Sequence, residues 1–450
     1  MAITYRGSML ARLTSFFMAW FLLGTASAQS SLVLISIDGL RPDYVLEASK
    51  YGLRIPNLRR LVTEGAYATA VYGVTPTVTY PSHTTILTGV SPAKHGIYSN
   101  NTFDPLNKNQ QGWYWYAEDI KAPTLWSKAS EAGMTTANIH WPVSVGAPIT
   151  YNLPQIWRTG LPDDRKMVRA LATKGLLTDM ESKLGPYADG IDETLEGDET
   201  RGRFAVYLIE WKKPRFTTAY FTALDHVQHA SGPFSPESLA TLERIDAIVG
   251  SVRAAAEKAD PKAVTAVISD HGFSKVTAEV NLLVPFVSNG FIEFDEDKAV
   301  RSWTATIWPA GGSAAVMLKD PRDQALRNRV EQLLRGLASN PENGIREIVD
   351  AASLKSLGGF PGASFLVDLK PGFQLGARTE GPLVTPKSAP GGMHGYLPSS
   401  TDMRSSFFIA GKGIAAGHSL GEIHMEDVAP TLAKVLGIKL PTDGKDLLSH

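Results

Sequence analysis

Short apolar runs that stop at an acid or a histidine recur along this chain. Ser31–Ile37 (SLVLISI) leads into Asp38-Gly39, and Ala263–Ser269 (AVTAVIS) leads into Asp270-His271-Gly272. Phe216–Leu224 (FTTAYFTAL) leads into Asp225. Continuous apolar runs of this length, bounded by turn residues, predict strands buried on both faces. Ala66–Val74, Met134–Trp141 and Ser405–Gly411 predict further strands. Between them the period changes to that of a helix. Leu58, Leu61 and Val62 share one face of a helix that starts near Asn57 and ends at Gly65. Ser235-Pro236-Glu237 opens a helix running to about Ala259, with Leu239, Leu242, Ile245 and Ile248 on its apolar stripe. Thr124–Gly133, Arg201–Glu210 and Glu426–Leu436 also read as helices. A helix beginning at the His83–Leu87 run places Thr79 near its positive end, which favours a phosphate.

Strand–helix alternation predicts an α/β fold of three layers, with a mostly parallel central sheet and helices on both faces. The acids then stand at the carboxyl ends of strands, where open sheets of this kind bind ligands. From Ser274 to Pro390 the alternation lapses. Short strands such as Ser313–Leu318 and one amphipathic helix, Arg322–Leu337, predict an inserted smaller subdomain over 274–390. Tyr151–Leu195 is weakly patterned and reads as surface helices and loops over the site.

Composition narrows the function classes. With 450 residues and 43% hydrophobic content, the chain can bury a large core. A formal net charge of -1 argues against a stable nucleic-acid partner or an anionic membrane surface. The absence of cysteine excludes disulfides, thiolate metal sites and cysteine nucleophiles, so any metal must be held by nitrogen and oxygen. Arg6 and Arg12 precede the apolar run Phe16–Leu23 and then Ala26-Ser27-Ala28. This layout predicts a signal peptide over 1–28, cleaved after Ala28. The run is short for a membrane span. The expected mature chain, 29–450, is exported to the periplasm or beyond and has no membrane span. Nothing in the sequence indicates its oligomeric state.

The acids and histidines supply the chemistry. Asp225 and His229 are four apart and share one face of a helical turn. With Asp38, Asp270, His271 and His394 they make enough ligands for two divalent ions. Such a donor set suits zinc, manganese or iron better than calcium. A metal pair can activate one oxygen and stabilise the other in an in-line phosphoryl displacement. Thr79, a hydroxyl with no base beside it in sequence, needs such activation to act as a nucleophile. Asn100 can donate a hydrogen bond to a phosphoryl oxygen.

The ordered set IDGLRPD, TPTVTYPSHTTILTG, HGIYSNN, DHVQH, SDHG and MHG resembles the nucleotide pyrophosphatase/phosphodiesterase family of the alkaline phosphatase superfamily. The resemblance runs from about Ser31 to the C-terminus and is weakest over 150–215 and 277–388. It implies an alkaline-phosphatase-like fold and a two-zinc hydrolase of phosphodiester or nucleotide pyrophosphate bonds. It makes Thr79 the nucleophile that forms a covalent intermediate. One zinc falls to Asp225, His229 and His394, and the other to Asp38, Asp270, His271 and the Thr79 oxygen. Asn100 becomes the phosphate-contacting residue, and Tyr80 and Tyr220 fall where relatives place aromatics against a nucleobase, core packing being the other use open to them. The implied partner is a small phosphate ester or nucleotide. Three positions depart from the family: Ala223-Leu224 stand in place of an acid and a proline before Asp225, and Gln228 in place of a glycine before His229. A zinc phosphomonoesterase is the alternative, with Arg158, Arg165 and Lys166 as the cations nearest to hand for a doubly charged phosphate. A non-catalytic exported metal-binding protein is the remote one.

Overall fold

In β1 (Leu32–Ile37) every residue is buried, and alternate side chains serve opposite faces. Val33, Ile35 and Ile37 join one apolar cluster, and Leu32 and Leu34 join another. That two-sided burial is what a central strand of a layered sheet requires. The computed structural model describes residues 1–3, 30–109, 112–156, 163–188 and 192–448. Apart from residues 1–3, the expected signal peptide and its cleavage point lie outside them.

After β1 come α1 (Pro56–Glu64), β2 (Ala66–Tyr72), α2 (Thr79–Thr88), α3 (Leu125–Glu131), β3 (Thr136–Ile139) and β4 (Tyr151–Leu153). Next are α4 (Leu195–Lys212), β5 (Phe216–Phe221), α5 (Ala223–Ser231), α6 (Pro236–Ala259) and β6 (Val264–Ile268). The chain then leaves the main sheet for β7 (Ser274–Val280), β8 (Ala305–Pro309), β9 (Ser313–Leu318), α7 (Gln324–Ala338), β10 (Ile345–Asp350), β11 (Phe365–Leu369), β12 (Gly372–Leu375) and β13 (Val384–Met393). It returns through β14 (Phe407–Gly411), β15 (His418–His424) and α8 (Val428–Leu436).

The main sheet has eight strands in the order β15-β2-β14-β6-β1-β5-β3-β4. All run parallel except β14, which is antiparallel to both its neighbours. The chain re-enters the sheet there from the opposite end, after the 274–393 excursion. One face is covered by α1, α4, α5 and α6, through residues such as Leu58, Phe204, Leu224 and Leu242. The other is covered by α2, α3 and α8, through Ile86, Trp126 and Leu432. The excursion forms three smaller sheets, β8-β9-β11-β10, β12-β7-β13 and a two-stranded ribbon of Ile292–Phe294 with Val300–Trp303, around an apolar cluster of their own. Among the described residues no helix is long and apolar enough to cross a membrane.

Three local expectations need correction. Helix α2 begins at Thr79 itself rather than beyond it. Pro81 fits within its first turn, where a missing N–H costs no helical bond. Strand β5 ends at Phe221, so Asp225 stands in the first turn of α5 and not at a strand terminus. Residues 151–153 form an edge strand of the main sheet, paired with β3, in a region whose polar composition hides it.

Helix α1 has no side-chain cap of its own, because Ile55 occupies its N-cap. The buried Asp246 of α6 replaces one. It accepts hydrogen bonds from the Asn57 amide at 3.1 Å, the Leu58 amide at 2.7 Å and Asn57 Nδ2 at 2.9 Å. Losing it strands main-chain donors in the interior. Asp246→Ala is therefore expected to lower stability by about 2 kcal/mol, read by denaturant unfolding, and Asp246→Asn by less.

Candidate active site

Adjacent central strands deliver the first group of ligands. Asp38 follows β1 directly, and Asp270 and His271 follow β6, its neighbour. All three are buried. His271 Nε2 lies 3.3 Å from Asp38 Oδ1 and 3.2 Å from Asp270 Oδ2. The second group is assembled from further apart. Asp225 and His229 share a face of α5, and His394 follows β13 of the excursion. His229 Nε2 lies 3.3 Å from Asp225 Oδ2, and His394 Nε2 lies 3.8 Å from Asp225 Oδ1. The two groups are neighbours, because the His271 and His394 rings stack with centroids 3.6 Å apart.

Both turns after the ligands depend on glycine. Gly39 (φ +69) and Gly395 (φ +84) hold left-handed backbone. A Cβ at Gly395 would stand 1.5 Å from the Ala310 carbonyl, so no other residue fits. This close approach packs the His394 turn on the loop between β8 and β9, and Thr77 Oγ1, donating to the Tyr396 carbonyl at 2.7 Å, ties the turn to the main body.

The donor atoms suit divalent ions. Each group offers one atom per residue within 4.8 Å of the others. Asp38 Oδ1, Asp225 Oδ1, Asp270 Oδ2 and His271 Nε2 are buried with no hydrogen-bond partner among the described residues. Unpaired buried acceptors of this kind are costly unless a cation meets them. The outer atoms are fixed. Nδ1 of His229, His271 and His394 faces the carbonyl of Gly392, Gly272 and Thr77 at 3.2, 3.1 and 3.0 Å. With the proton on Nδ1 donated there, Nε2 of each ring is left as a ligand. Asp270 Oδ1 accepts from the Gly39 amide at 3.2 Å, and Asp38 Oδ2 accepts from the Tyr220 hydroxyl.

Electrostatics point the same way. Burial, then the charges of Asp225 and Asp270, push Asp38 well above the usual carboxylate range, against the Tyr220 hydrogen bond. Burial also opposes ionised Asp225, but His229, His394 and His271 outweigh it and hold that carboxyl low. Burial first, then His271, keeps His394 well below the usual imidazole value.

Thr79 is the first residue of α2, where main-chain amides and the helix dipole favour an anion. Asn100 Oδ1 accepts from the Tyr80 amide at 2.9 Å, which leaves Nδ2 to donate. Asp38, Thr79, Asn100, Asp225, His229 and His394 line one cleft, so the structure brings both ligand groups, the hydroxyl and the amide together. Tyr80 and Tyr220 line the same cleft, and both rings are set deep in its wall. The Tyr220 ring is 1% exposed, edge-on to His83 and stacked on His140, because β5 turns it beneath Asp38. Tyr80 is likewise packed inside, against Ile97, Val143 and Trp113. Of the cations weighed for a monoester, Arg158 and the Arg165 side chain lie outside the described residues, and Lys166 is exposed on a surface helix.

Several contributors carry no motif. Trp113, Gln155 and Glu193 line the cleft, the last two from the stretch without clear periodicity. Burial, then Asp225, pushes Glu193 up to about 7. His83 sits one turn beyond Thr79 in α2, with Nδ1 on the Thr79 carbonyl at 2.8 Å and Nε2 on Ser36 Oγ at 2.9 Å. Its i+4 spacing from Thr79 was the available signal. Asp198 of α4 caps α5, which has no cap of its own, accepting from the Thr222 amide at 3.1 Å and the Ala223 amide at 2.8 Å. The buried Arg201 pairs with it at 2.8 Å.

Residues 32–397 match the family described as type I phosphodiesterase / nucleotide pyrophosphatase. An uncharacterised pyrophosphatase/phosphodiesterase of Schizosaccharomyces pombe is 30% identical over 263 residues, 56% of this chain and 46% of the relative. Ectonucleotide pyrophosphatase/phosphodiesterase family member 3 of Rattus norvegicus is 26% identical over 56% of this chain and 26% of its own length. The matched region thus spans half or less of these relatives. Human ectonucleotide pyrophosphatase/phosphodiesterase 5 shares the fold, with a TM-score of 0.65 and 19% identity over 92% of this chain and 97% of that one. The murine counterpart, solved as an inactive threonine-to-alanine variant in complex with AMP, gives 0.66 and 18% over 93% and 98%.

Two ligand groups predict two bound divalent ions per chain, and Asp225→Ala is expected to retain about one. Asp198→Ala, which frees the first turn of α5, should weaken one of the two ions by about tenfold to a hundredfold and spare the other. Metal analysis after dialysis against graded chelator checks both.

Proposed function

The chain belongs to the type I phosphodiesterase / nucleotide pyrophosphatase family, and on that premise we propose that it is an exported two-zinc hydrolase of phosphodiester or nucleotide pyrophosphate bonds. The observation that carries the reading is Thr79 at the amino end of α2, in one cleft with two groups of carboxylate and imidazole ligands. Asp38, Asp270, His271 and the Thr79 hydroxyl would hold one zinc, and Asp225, His229 and His394 the other. The ions, when bound, supply positive charge to the attacking and departing oxygens.

The protein's own groups do the rest. The dipole of α2 and the Asn100 amide receive the phosphoryl oxygens. Thr79 Oγ1 bonds to phosphorus as the ester oxygen departs on the opposite side. Water then cleaves the threonine phosphoester in a second in-line step, so configuration at phosphorus is retained. His83 holds the Thr79 carbonyl, and the three Nδ1-to-carbonyl contacts keep the imidazoles oriented. Diesters are favoured over monoesters because a second phosphate charge calls for a fixed cation. None of the described residues lining the cleft is Lys or Arg.

Thr79→Ala is expected to abolish turnover of the nitrophenyl ester of thymidylate, by about a thousandfold or more, with two ions still bound by metal analysis. Undiminished turnover by that variant refutes the covalent route. Asn100→Ala should keep its metals and lose about a hundredfold in kcat.

A further inference from the structure

Glu193 is the one carboxylate lining the cleft, among the described residues, that belongs to neither ligand group. It sits on the Asp225 side. Its Oε2 lies 3.2 Å from Nδ1 of His226, a residue of α5 between the ligands Asp225 and His229. Its side chain is 26% exposed, so it is set into the cleft wall rather than standing out in solvent.

The backbone around it is fastened from three directions. The buried Arg201 donates to the Asp192 carbonyl, immediately before Glu193. Immediately after it, the Thr194 amide donates to Asp192 Oδ1 at 2.9 Å, and Thr194 Oγ1 caps α4 by accepting from the Gly197 amide at 3.1 Å. Arg201 also pairs with Asp198, which holds the first turn of α5. One buried guanidinium therefore fixes both Glu193 and the helix of Asp225. A surface acid whose position is immaterial would not be held in this way.

The location decides what the carboxylate meets. Under the reading above, on which this inference rests, Thr79 attacks from the Asp38 group, so the departing oxygen moves toward Asp225, His229 and His394. Glu193 then faces the leaving group and not the retained phosphoryl group. No Lys or Arg among the described lining residues offsets its charge there.

We propose that Glu193 is a specificity-determining residue that turns away substrates with an anionic leaving group and selects phosphodiesters whose leaving alcohol is neutral or cationic. Like charge opposite like charge in a partly desolvated wall lowers the affinity for the wrong substrate without touching the chemistry. The substrate class is then a simple diester rather than a nucleoside triphosphate, whose departing pyrophosphate would meet the carboxylate.

Three thymidylyl compounds that differ only in the leaving group test this. They are the nitrophenyl ester of thymidylate, its ethanolamine ester and thymidine triphosphate, assayed with the zinc-loaded protein at about pH 8.5, where the carboxylate is ionised. The wild type should favour the two esters over the triphosphate in kcat/KM, after correction for leaving-group reactivity against the uncatalysed rates. Glu193→Gln should raise the triphosphate relative to the nitrophenyl ester about tenfold and lower the ethanolamine ester against the same standard, with metal content unchanged. Glu193→Lys should widen both shifts. Parallel changes in all three substrates, or ratios that move by less than about twofold, overturn the proposal and leave Glu193 a partner of His226 only. Failure of the underlying reading registers differently. In that case wild type turns over none of the three, or Thr79→Ala turns over all, and the inference falls with it.

Discussion

Three aspartates buried side by side are the constraint around which this molecule is built. Asp38, Asp225 and Asp270 are buried within reach of one another. Their mutual repulsion in a low-dielectric interior is severe. No lysine or arginine is among the described residues lining the cleft, and the histidines beside them turn their Nδ1 atoms outward to backbone carbonyls. The interior is thus arranged for positive charge that arrives from solution. The same arrangement explains the elements around it, since strands, helices and glycine turns all serve to hold anions where they repel.

That holding is done largely at a distance. Neither α1 nor α5 carries a cap in its own sequence, and each is started by an aspartate from a neighbouring helix, Asp246 and Asp198. A cap supplied by the same chain segment fixes a helix only to itself. One supplied from another helix fixes the angle and position of both. For α5 this matters to chemistry, because its first turn holds Asp225 and its last holds His229. The ion pair of Asp198 with Arg201 lies wholly inside, where its desolvation cost is offset by the amide and carbonyl groups that each partner engages.

Much of the layered fold could be read along the chain, since β1 and β6 are unbroken apolar runs and α6 has a proline start and a clear stripe. So could the residues of the two candidate ligand groups, because acids and histidines in short clusters are visible as motifs. What escaped detection depends on contacts that leave no local trace. Nothing in LPQIW or GIDETLE marks Gln155 or Glu193 as cleft residues. Their places follow from an edge strand and from a loop tied down by Arg201. The direction of β14 was hidden because an apolar pentapeptide reads the same in either orientation. The hydrogen bond from Tyr220 to Asp38 was equally hidden, because position along a strand does not tell what a ring's hydroxyl meets.

The ligands enter the chain in an order with consequences for how the protein matures. Asp38, Asp270 and His271 are all present once 271 residues have been made, and they terminate adjacent strands. The other trio waits for His394, which follows the whole excursion and meets the Thr77 carbonyl through its Nδ1. The nascent polypeptide therefore carries all three donors of the first group long before the last donor of the second. A product that stops short of residue 394 has every donor of the first group and lacks one of the second.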